Sequence, residues 1–153
     1  MPSSHYQHTQ NRPMPSAKPV SPAAKPGGKA TVHARTVMEH KNFNKPDETR
    51  EFPNGRAEIV KISGGEVGRY VFSPGWRWSR DLKPIAKTES CETEHFMYHI
   101  SGTIAIRMDD GTEFLAGPGD ISALPSGHDA WVVGNEPAVL VDFQGATDYA
   151  RHK

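Results

Sequence analysis

The chain has 153 residues, of which 35% are hydrophobic, and this is enough for one domain with a single modest core. Its 18 basic and 18 acidic side chains cancel, and no apolar run approaches the roughly 18 residues of a membrane-spanning helix. Cys91 is the only cysteine, which excludes an intrachain disulfide and gives no sign of an oxidising compartment. We therefore expect a soluble, cytoplasmic protein with no membrane partner.

Residues 1–36 differ in composition from the rest of the chain. They hold six of the 13 prolines and five of the basic residues but no Asp or Glu. Such a segment cannot bury enough apolar surface to offset its chain entropy, so we predict a disordered tail there and a folded domain over residues 37–150. An organelle transit peptide or a basic tether is an alternative for the tail. The remaining residues include 13 basic and 18 acidic side chains, a balance that gives no reason to expect a nucleic-acid partner.

From Val37 onward, short apolar segments alternate with turns that contain glycine. Strands at intervals of about ten residues with such turns predict an all-β sandwich or barrel. Residues 109–111, Asp-Asp-Gly, are a strong hairpin signal, because a tight primed turn needs a positive φ that glycine adopts without strain. No convincing amphipathic helix is predicted between residues 37 and 145. The predicted strands cover residues 58–62, 68–72, 96–100, 103–108, 114–116, 121–124, 130–133 and 138–143.

Carboxylate, thiol and imidazole side chains recur at even spacings before the third predicted strand. They are Glu89, Cys91 and His95, and His128 follows about thirty residues later in the turn that begins at Pro125. A β-strand points every second side chain to one face, and a second strand can bring another imidazole opposite. This pattern is typical of a small metal or ligand pocket.

Two further motifs resemble those of the cupin superfamily. Gly102 ends a strand seven residues beyond His95, and residues 119–127 contain Gly, five residues, Pro, one residue and Gly in the expected order. Residues 74–79 and 127–134 look like a widespread group of small single-domain bacterial cupins of unsettled function. The resemblance implies a double-stranded β-helix, a jelly-roll-like barrel with an internal pocket, usually in a homodimer.

The resemblance also implies a ligand set. Metal-dependent cupins supply two His separated by one residue and then a Glu or Gln from the first motif, and a last His from the second. Counted from Gly102, the first three positions fall on Glu89, Cys91 and His95. The last falls on Ala130, which cannot bind a metal, but His128 lies two residues earlier on the same strand face. The expected metal ligands are therefore Glu89, Cys91, His95 and His128.

Thiolate, imidazole and carboxylate donors suit a divalent transition metal, with Zn²⁺ or Fe²⁺ favoured over Mg²⁺ and Ca²⁺, which prefer oxygen donors throughout. Each residue also has a structural alternative. Cys91 is a small hydrophobe when buried, and Glu89 beside Lys87 could be a solvated loop charge. His99 lies on the same strand face as His95 and could line the pocket, or it could be a core histidine bonded to a neighbour.

Trp76 and Trp78 are predicted to share one strand face and to form an aromatic wall, although large rings in small barrels usually belong to the core. Met97 and Ala130 are the other expected wall residues. Trp131 alternates with Ala130 and should point away from the pocket, into sheet packing or a dimer interface.

Two functions remain open at this point. The first is a metal-dependent enzyme that acts on a small polar metabolite, with Glu89 available for proton transfer if Cys91 and the histidines hold the metal. The second is a non-catalytic module that binds or senses a small molecule, with no metal or only a structural one. The fold does not separate them, because cupin-like folds host both.

Overall fold

The computed structural model of this protein describes residues 37–152. The predicted disordered tail, residues 1–36, lies outside the described residues, so the boundary between tail and domain stays a prediction. In the part of the chain that is described, no helix has the length and apolar character needed to cross a membrane.

The described residues form nine strands in two antiparallel sheets, which confirms the predicted all-β class. One sheet has six strands in the order β1-β2-β3-β9-β4-β7, and the other has three in the order β6-β5-β8. All eight predicted strands occur, each within three residues of its predicted ends. The strands are β1 (Glu48–Phe52), β2 (Gly55–Ile62), β3 (Gly65–Phe72), β4 (His95–Ser101), β5 (Thr103–Met108), β6 (Glu113–Ala116), β7 (Ile121–Leu124), β8 (His128–Val133) and β9 (Ala138–Asp142).

Strand β1 was not predicted, because charged residues obscure its period of two. Arg50 and Phe52 are buried on its inward face while Glu51 is exposed. A charged side chain is tolerated there because its guanidinium is hydrogen-bonded. Arg50 Nη1 donates to the backbone oxygens of Ala146 and Tyr149 at 2.8 and 2.7 Å.

The helices are single turns, α1 (Trp78–Asp81) and α2 (Lys83–Ala86), with a 3₁₀ turn at Gly145–Thr147. The prediction that Trp76 and Trp78 share a strand face was wrong, because the chain makes only one isolated bridge, from Arg77 to Trp131, before helix α1 begins. Asp81 Oδ2 accepts the Arg77 backbone N–H at 3.0 Å and so favours the helical turn. Both tryptophans are nevertheless buried.

Strand β4 shows how the sheet positions the site. His95, Met97 and His99 are buried, while Phe96, Tyr98 and Ile100 between them are exposed, as a strand with one face on the core requires. The turn into β5 depends on Gly102, whose φ is +70° and where a Cβ would collide with the Pro137 carbonyl. The inward faces of the two sheets enclose the core, and His95 lies at one end of it.

Candidate metal centre

Three buried side chains from different parts of the fold converge at this end of the core. Cys91 Sγ and one ring nitrogen each of His95 and His128 all lie within 4.8 Å of one another. His95 is the first residue of β4 and His128 the first of β8. Cys91 precedes β4 but forms an isolated bridge with His128, in which the Cys91 N–H donates to the His128 oxygen at 2.8 Å. The backbone therefore fixes two of these side chains relative to each other.

The His95 ring is oriented by a buried carboxylate. His95 Nδ1 lies 2.6 Å from Asp142 Oδ2, and the Tyr70 hydroxyl donates to the same oxygen at 2.9 Å. The other oxygen, Oδ1, accepts the backbone N–H groups of Gln144 and Gly145, both at 3.0 Å. Because Nδ1 donates its hydrogen bond to Asp142, the other ring nitrogen of His95, Nε2, is left facing Cys91 Sγ at 3.6 Å.

Gly145 lets Asp142 and His95 approach each other. A Cβ at Gly145 would lie 2.6 Å from both Asp142 Oδ2 and His95 Nδ1. Only a residue without a side chain therefore allows the carboxylate, the imidazole and the 3₁₀ turn to pack together.

The His128 ring is also oriented by a hydrogen bond from Nδ1, in this case to a backbone carbonyl. Its Nδ1 donates to the Pro125 carbonyl oxygen at 2.9 Å, and Nε2 is then free to face the cluster. The two imidazole rings have centroids 5.3 Å apart and lie nearly perpendicular, at 65°. Both histidines are thus held with Nε2 facing the cluster.

Hydrogen bonds also set the ionisation of the cluster. Burial disfavours the thiolate, but hydrogen bonds with His128 and His95 outweigh it and lower the pKa of Cys91 to about 6. Burial disfavours a charged His95 as well, but its hydrogen bonds to Asp142 and Cys91 raise the pKa of His95 to about 9. Near neutral pH the cluster alone is therefore a thiolate facing an imidazolium. A thiolate is the form of cysteine that binds transition metals.

A cavity of about 30 Å³ adjoins the cluster and has mostly apolar walls. This is about the room of one water molecule. Five aromatic residues are among those that line the cavity, and the ring of Phe72 stacks on Trp76 with centroids 3.8 Å apart. The Trp76 indole Nε1 is buried without a hydrogen-bond partner among the described residues. The aromatic wall consists of Tyr70, Phe72, Trp76, Trp78 and Tyr149.

The structure places the sequence-predicted residues as follows. Cys91, His95 and His128 come together, but Glu89 does not join them, because its side chain is 96% exposed and pairs with Lys83 at 2.7 Å. Trp76, Trp78, Met97 and Ala130 line the cavity. His99 is outside the lining and bonds Ser122 Oγ at 2.8 Å, which matches its structural alternative.

Trp131 lies outside the cavity lining, in the direction predicted from its alternation with Ala130. Its ring stands between two guanidinium groups, with Arg77 at 4.5 Å and Arg107 at 5.0 Å from the ring centroid. Arg77 is also paired with Asp129 at 3.1 Å and Arg107 with Glu113 at 2.8 Å. Each arginine therefore contacts the Trp131 ring and a carboxylate.

Sequence reasoning considered Tyr70 only as part of an aromatic wall, and it missed Asp142 and Tyr149. For Asp142 a signal existed, since the alternation of Ala138 and Leu140 in the apolar strand β9 puts position 142 on the buried face. A carboxylate there needs a partner. Tyr149 gave no local signal, because it reaches the site from the turn after the last strand.

Comparison with known proteins shows the fold. The chain matches a mutant of the oxalate decarboxylase OxdC from Bacillus subtilis, with a TM-score of 0.51 and 21% identity, over 76% of this chain and 32% of that one. It matches the polyketide cyclase RemF from Streptomyces resistomycificus with a TM-score of 0.50 and 16% identity, over 69% and 78% of the two chains. A cupin 2 conserved barrel domain protein from Salinispora arenicola gives 0.49 and 18%, over 69% and 87%.

No protein-family profile matches the chain. No curated protein matches it either. The two matches with TM-scores of at least 0.50 confirm the predicted cupin-type fold. At these low sequence identities, the matches are evidence for the fold only.

Proposed function

We propose that this cupin-type domain binds one divalent transition metal through Cys91, His95 and His128 and presents an open coordination position to a water-sized ligand. The observation that carries the proposal is the convergence of three buried donor atoms within 4.8 Å. Hydrogen bonds to Asp142 and to the Pro125 carbonyl hold both imidazoles with Nε2 turned toward the thiol.

The donor set fits such a metal on chemical grounds. One thiolate and two imidazoles suit Zn²⁺ or Fe²⁺ and do not suit Mg²⁺ or Ca²⁺. Ligating histidines generally donate their other ring nitrogen to a carboxylate or a carbonyl, and His95 and His128 provide one example of each. Three protein ligands on a tetrahedral metal leave one position for water or substrate.

The metal would supply a polarised or more acidic bound water, or would polarise a small ligand. The chain supplies the rest of the site. Asp142 keeps the proton of His95 on Nδ1, and the thiolate of Cys91 provides charge that offsets part of the metal's own. The aromatic walls limit water to about one molecule beside the donors.

The same small cavity favours one alternative. With room for about one water, the interior does not accommodate the small polar metabolite that the sequence suggested unless side chains move. A non-catalytic module whose metal is structural would require no such movement. Exogenous ligands separate the two functions, because a structural metal with a closed shell would not bind azide, whereas an open position would.

Elemental analysis of protein purified without a His tag tests the metal proposal. We expect about one equivalent of transition metal in the wild type and a loss of most of it in Cys91→Ser and His128→Ala. The matched control is His40→Ala, which removes an exposed histidine outside the site. In addition, metal at about 100 times its dissociation constant should stabilise the metal-free protein by about 2.7 kcal/mol.

Two results together would remove the proposal. One is a wild-type metal content below about a tenth of an equivalent, and the other is a melting temperature that does not change when Zn²⁺, Fe²⁺ or Co²⁺ is added under reducing conditions. Retention of metal in Cys91→Ser with loss in His128→Ala would instead limit the ligand set to the histidines.

A further inference from the structure

A second cavity, of about 60 Å³, lies next to the first. We call it the vestibule. It is bounded by Leu82, which lies between the two helices, by Ala86 of α2, and by the exposed residues Glu92 and Arg151. The linings of the two cavities have three residues in common, Trp78, Cys91 and Tyr149. These three side chains therefore form the partition between the vestibule and the interior.

We infer that Tyr149 is a specificity-determining gate between the vestibule and the proposed metal site. In the arrangement observed, its ring restricts the interior to ligands of about the size of one water molecule. Larger ligands enter the space between the donors only when this ring moves. The inference rests on the proposed function for its biological meaning, but the gate itself is defined by the two cavities.

The Tyr149 ring is placed to do this. It stacks on Tyr70 with centroids 4.4 Å apart and lies edge-on to His95 at 5.3 Å. It is buried, although it belongs to the exposed C-terminal segment that follows the 3₁₀ turn. Outward rotation of this ring would join the vestibule to the cavity beside His95, since the ring lines both.

The backbone around Tyr149 is less firmly held than that of Trp78, the other aromatic residue of the partition. Trp78 begins helix α1, where Asp129 Oδ1 accepts the Ser79 N–H at 3.0 Å and fixes the turn to strand β8. Tyr149 lies outside every strand, and its N–H bond to the Gly145 oxygen is long, at 3.3 Å. The next residue, Ala150, has a φ of +54°, which is strained for alanine.

Arg50 holds this segment in place through hydrogen bonds to its backbone. Its Nη1 donates to the Tyr149 carbonyl at 2.7 Å and to the Ala146 carbonyl at 2.8 Å. The guanidinium is itself held by Glu48 at 2.8 Å. The gate is therefore closed through one buried side chain of β1, so a local opening does not require any strand pair to separate.

Size-graded labelling of Cys91 tests the gate, because Cys91 is the only thiol in the chain. Metal-free full-length protein is treated separately with hydrogen peroxide, which is little larger than water and oxidises the thiol, and with N-phenylmaleimide, which is bulky and alkylates it. Mass spectrometry gives both rates, each normalised to the unfolded protein. For Tyr149→Ala we expect the ratio of the bulky to the small rate to rise by about tenfold or more, since bulky reagents no longer wait for local opening.

Three variants serve as controls. Tyr149→Phe keeps the ring and should leave the ratio within about twofold of wild type. Ile59→Ala destabilises a core position outside both cavities and should raise both rates without changing their ratio. Ala86→Trp fills the vestibule from a half-buried helical position and should slow the reaction of Cys91 with both reagents. If Tyr149→Ala does not fold, this variant tests the inference instead.

An unchanged ratio in a folded Tyr149→Ala protein would overturn the inference. So would Ala86→Trp labelling at the wild-type rate, because access would then lie elsewhere. Since the labelling uses metal-free protein, failure of the gate and failure of the metal proposal are separate results.

Discussion

Asp142→Asn is the substitution that most directly tests how the proposed centre is built. All the hydrogen bonds that Asp142 makes are accepted ones, with His95 and Tyr70 at Oδ2 and backbone N–H groups at Oδ1. An asparagine amide nitrogen at the Oδ2 position would face two donors. It is accommodated only if the His95 proton leaves Nδ1 and moves to Nε2. Nε2 would then carry the proton where the metal should bind.

The magnitude follows from this change of tautomer. Loss of an outer-shell partner of a ligating histidine typically lowers metal affinity by about 10- to 100-fold, or about 1.4 to 2.8 kcal/mol. We expect Asp142→Asn to fall in the upper part of that range, because the carboxylate is fully buried and no water replaces it. Tyr70→Phe removes one donor to the carboxylate and leaves its charge, so a smaller loss is expected.

Competition between the protein and a chromophoric chelator for Co²⁺ measures these affinities at fixed pH. The matched control is Asp148→Asn, which changes an exposed carboxylate of the same C-terminal segment. Circular dichroism must show that each variant is folded at the temperature of the titration. A folded Asp142→Asn protein with wild-type affinity would refute the argument that Asp142 sets the His95 tautomer.

Three further outcomes are expected. Gly145→Ala should also weaken metal binding in the competition assay, because its Cβ would force Asp142 and His95 apart, and an unchanged affinity would contradict this. In metal-free protein, ultraviolet absorbance should show the Cys91 thiolate down to about pH 6. A midpoint of the thiol titration near pH 9 would show that the hydrogen bonds do not stabilise the thiolate. We also expect a homodimer through the outer face of β4, where Phe96, Tyr98 and Ile100 are 47%, 44% and 45% exposed. Sedimentation of wild type and Tyr98→Glu checks this, and a monomeric wild type would exclude it.

The two pKa shifts of the cluster have opposite effects on the way stability depends on pH. The lowered pKa of Cys91 contributes stability that grows as pH rises from about 6 toward 9. The raised pKa of His95 contributes stability that is full below 6.5 and is lost as pH rises toward about 9. Between those limits the folded thiolate-imidazolium pair and the unfolded thiol-imidazole pair bind equal numbers of protons. The contribution of this pair to the unfolding free energy of metal-free protein should therefore not change with pH between these limits.

The strands could be predicted because each carries its own period of two and is bounded by turn residues. The same parity brought His95 and His128 to the site, since each begins a strand whose inward positions are fixed by burial. Glu89 was assigned to the site by the same alternation, but its side chain does not reach the site. Residues 89–94 form no strand and make only the isolated bridge at Cys91, so no strand geometry enforces the alternation that was extrapolated back from His95 to residue 89.

Contacts distant in sequence were beyond prediction. Arg50 and Tyr149 meet across 99 residues, and no local pattern in β1 or in the C-terminal turn indicates that pairing. Asp142 lies between these cases. Its parity in β9 was readable, but its partner His95 is 47 residues away, and the sequence does not say which of several polar residues a buried carboxylate will meet.

Ala130 stands where the resemblance to cupins predicted the last metal ligand, and the structure shows how the three proposed donors are held in place without it. Ala130 still lines the cavity, and the space next to the donors has the volume of about one water. His128 remains inward because it begins β8 and because its backbone is bridged to that of Cys91, with N–H···O distances of 2.8 and 3.3 Å in the two directions. Two of the three proposed ligands are thus tied together by main-chain hydrogen bonds, and the third is tied to Asp142. The arrangement of the donors is therefore set by folding, and in the proposed metal site the small residue at 130 leaves a coordination position open without removing the support of the three ligands.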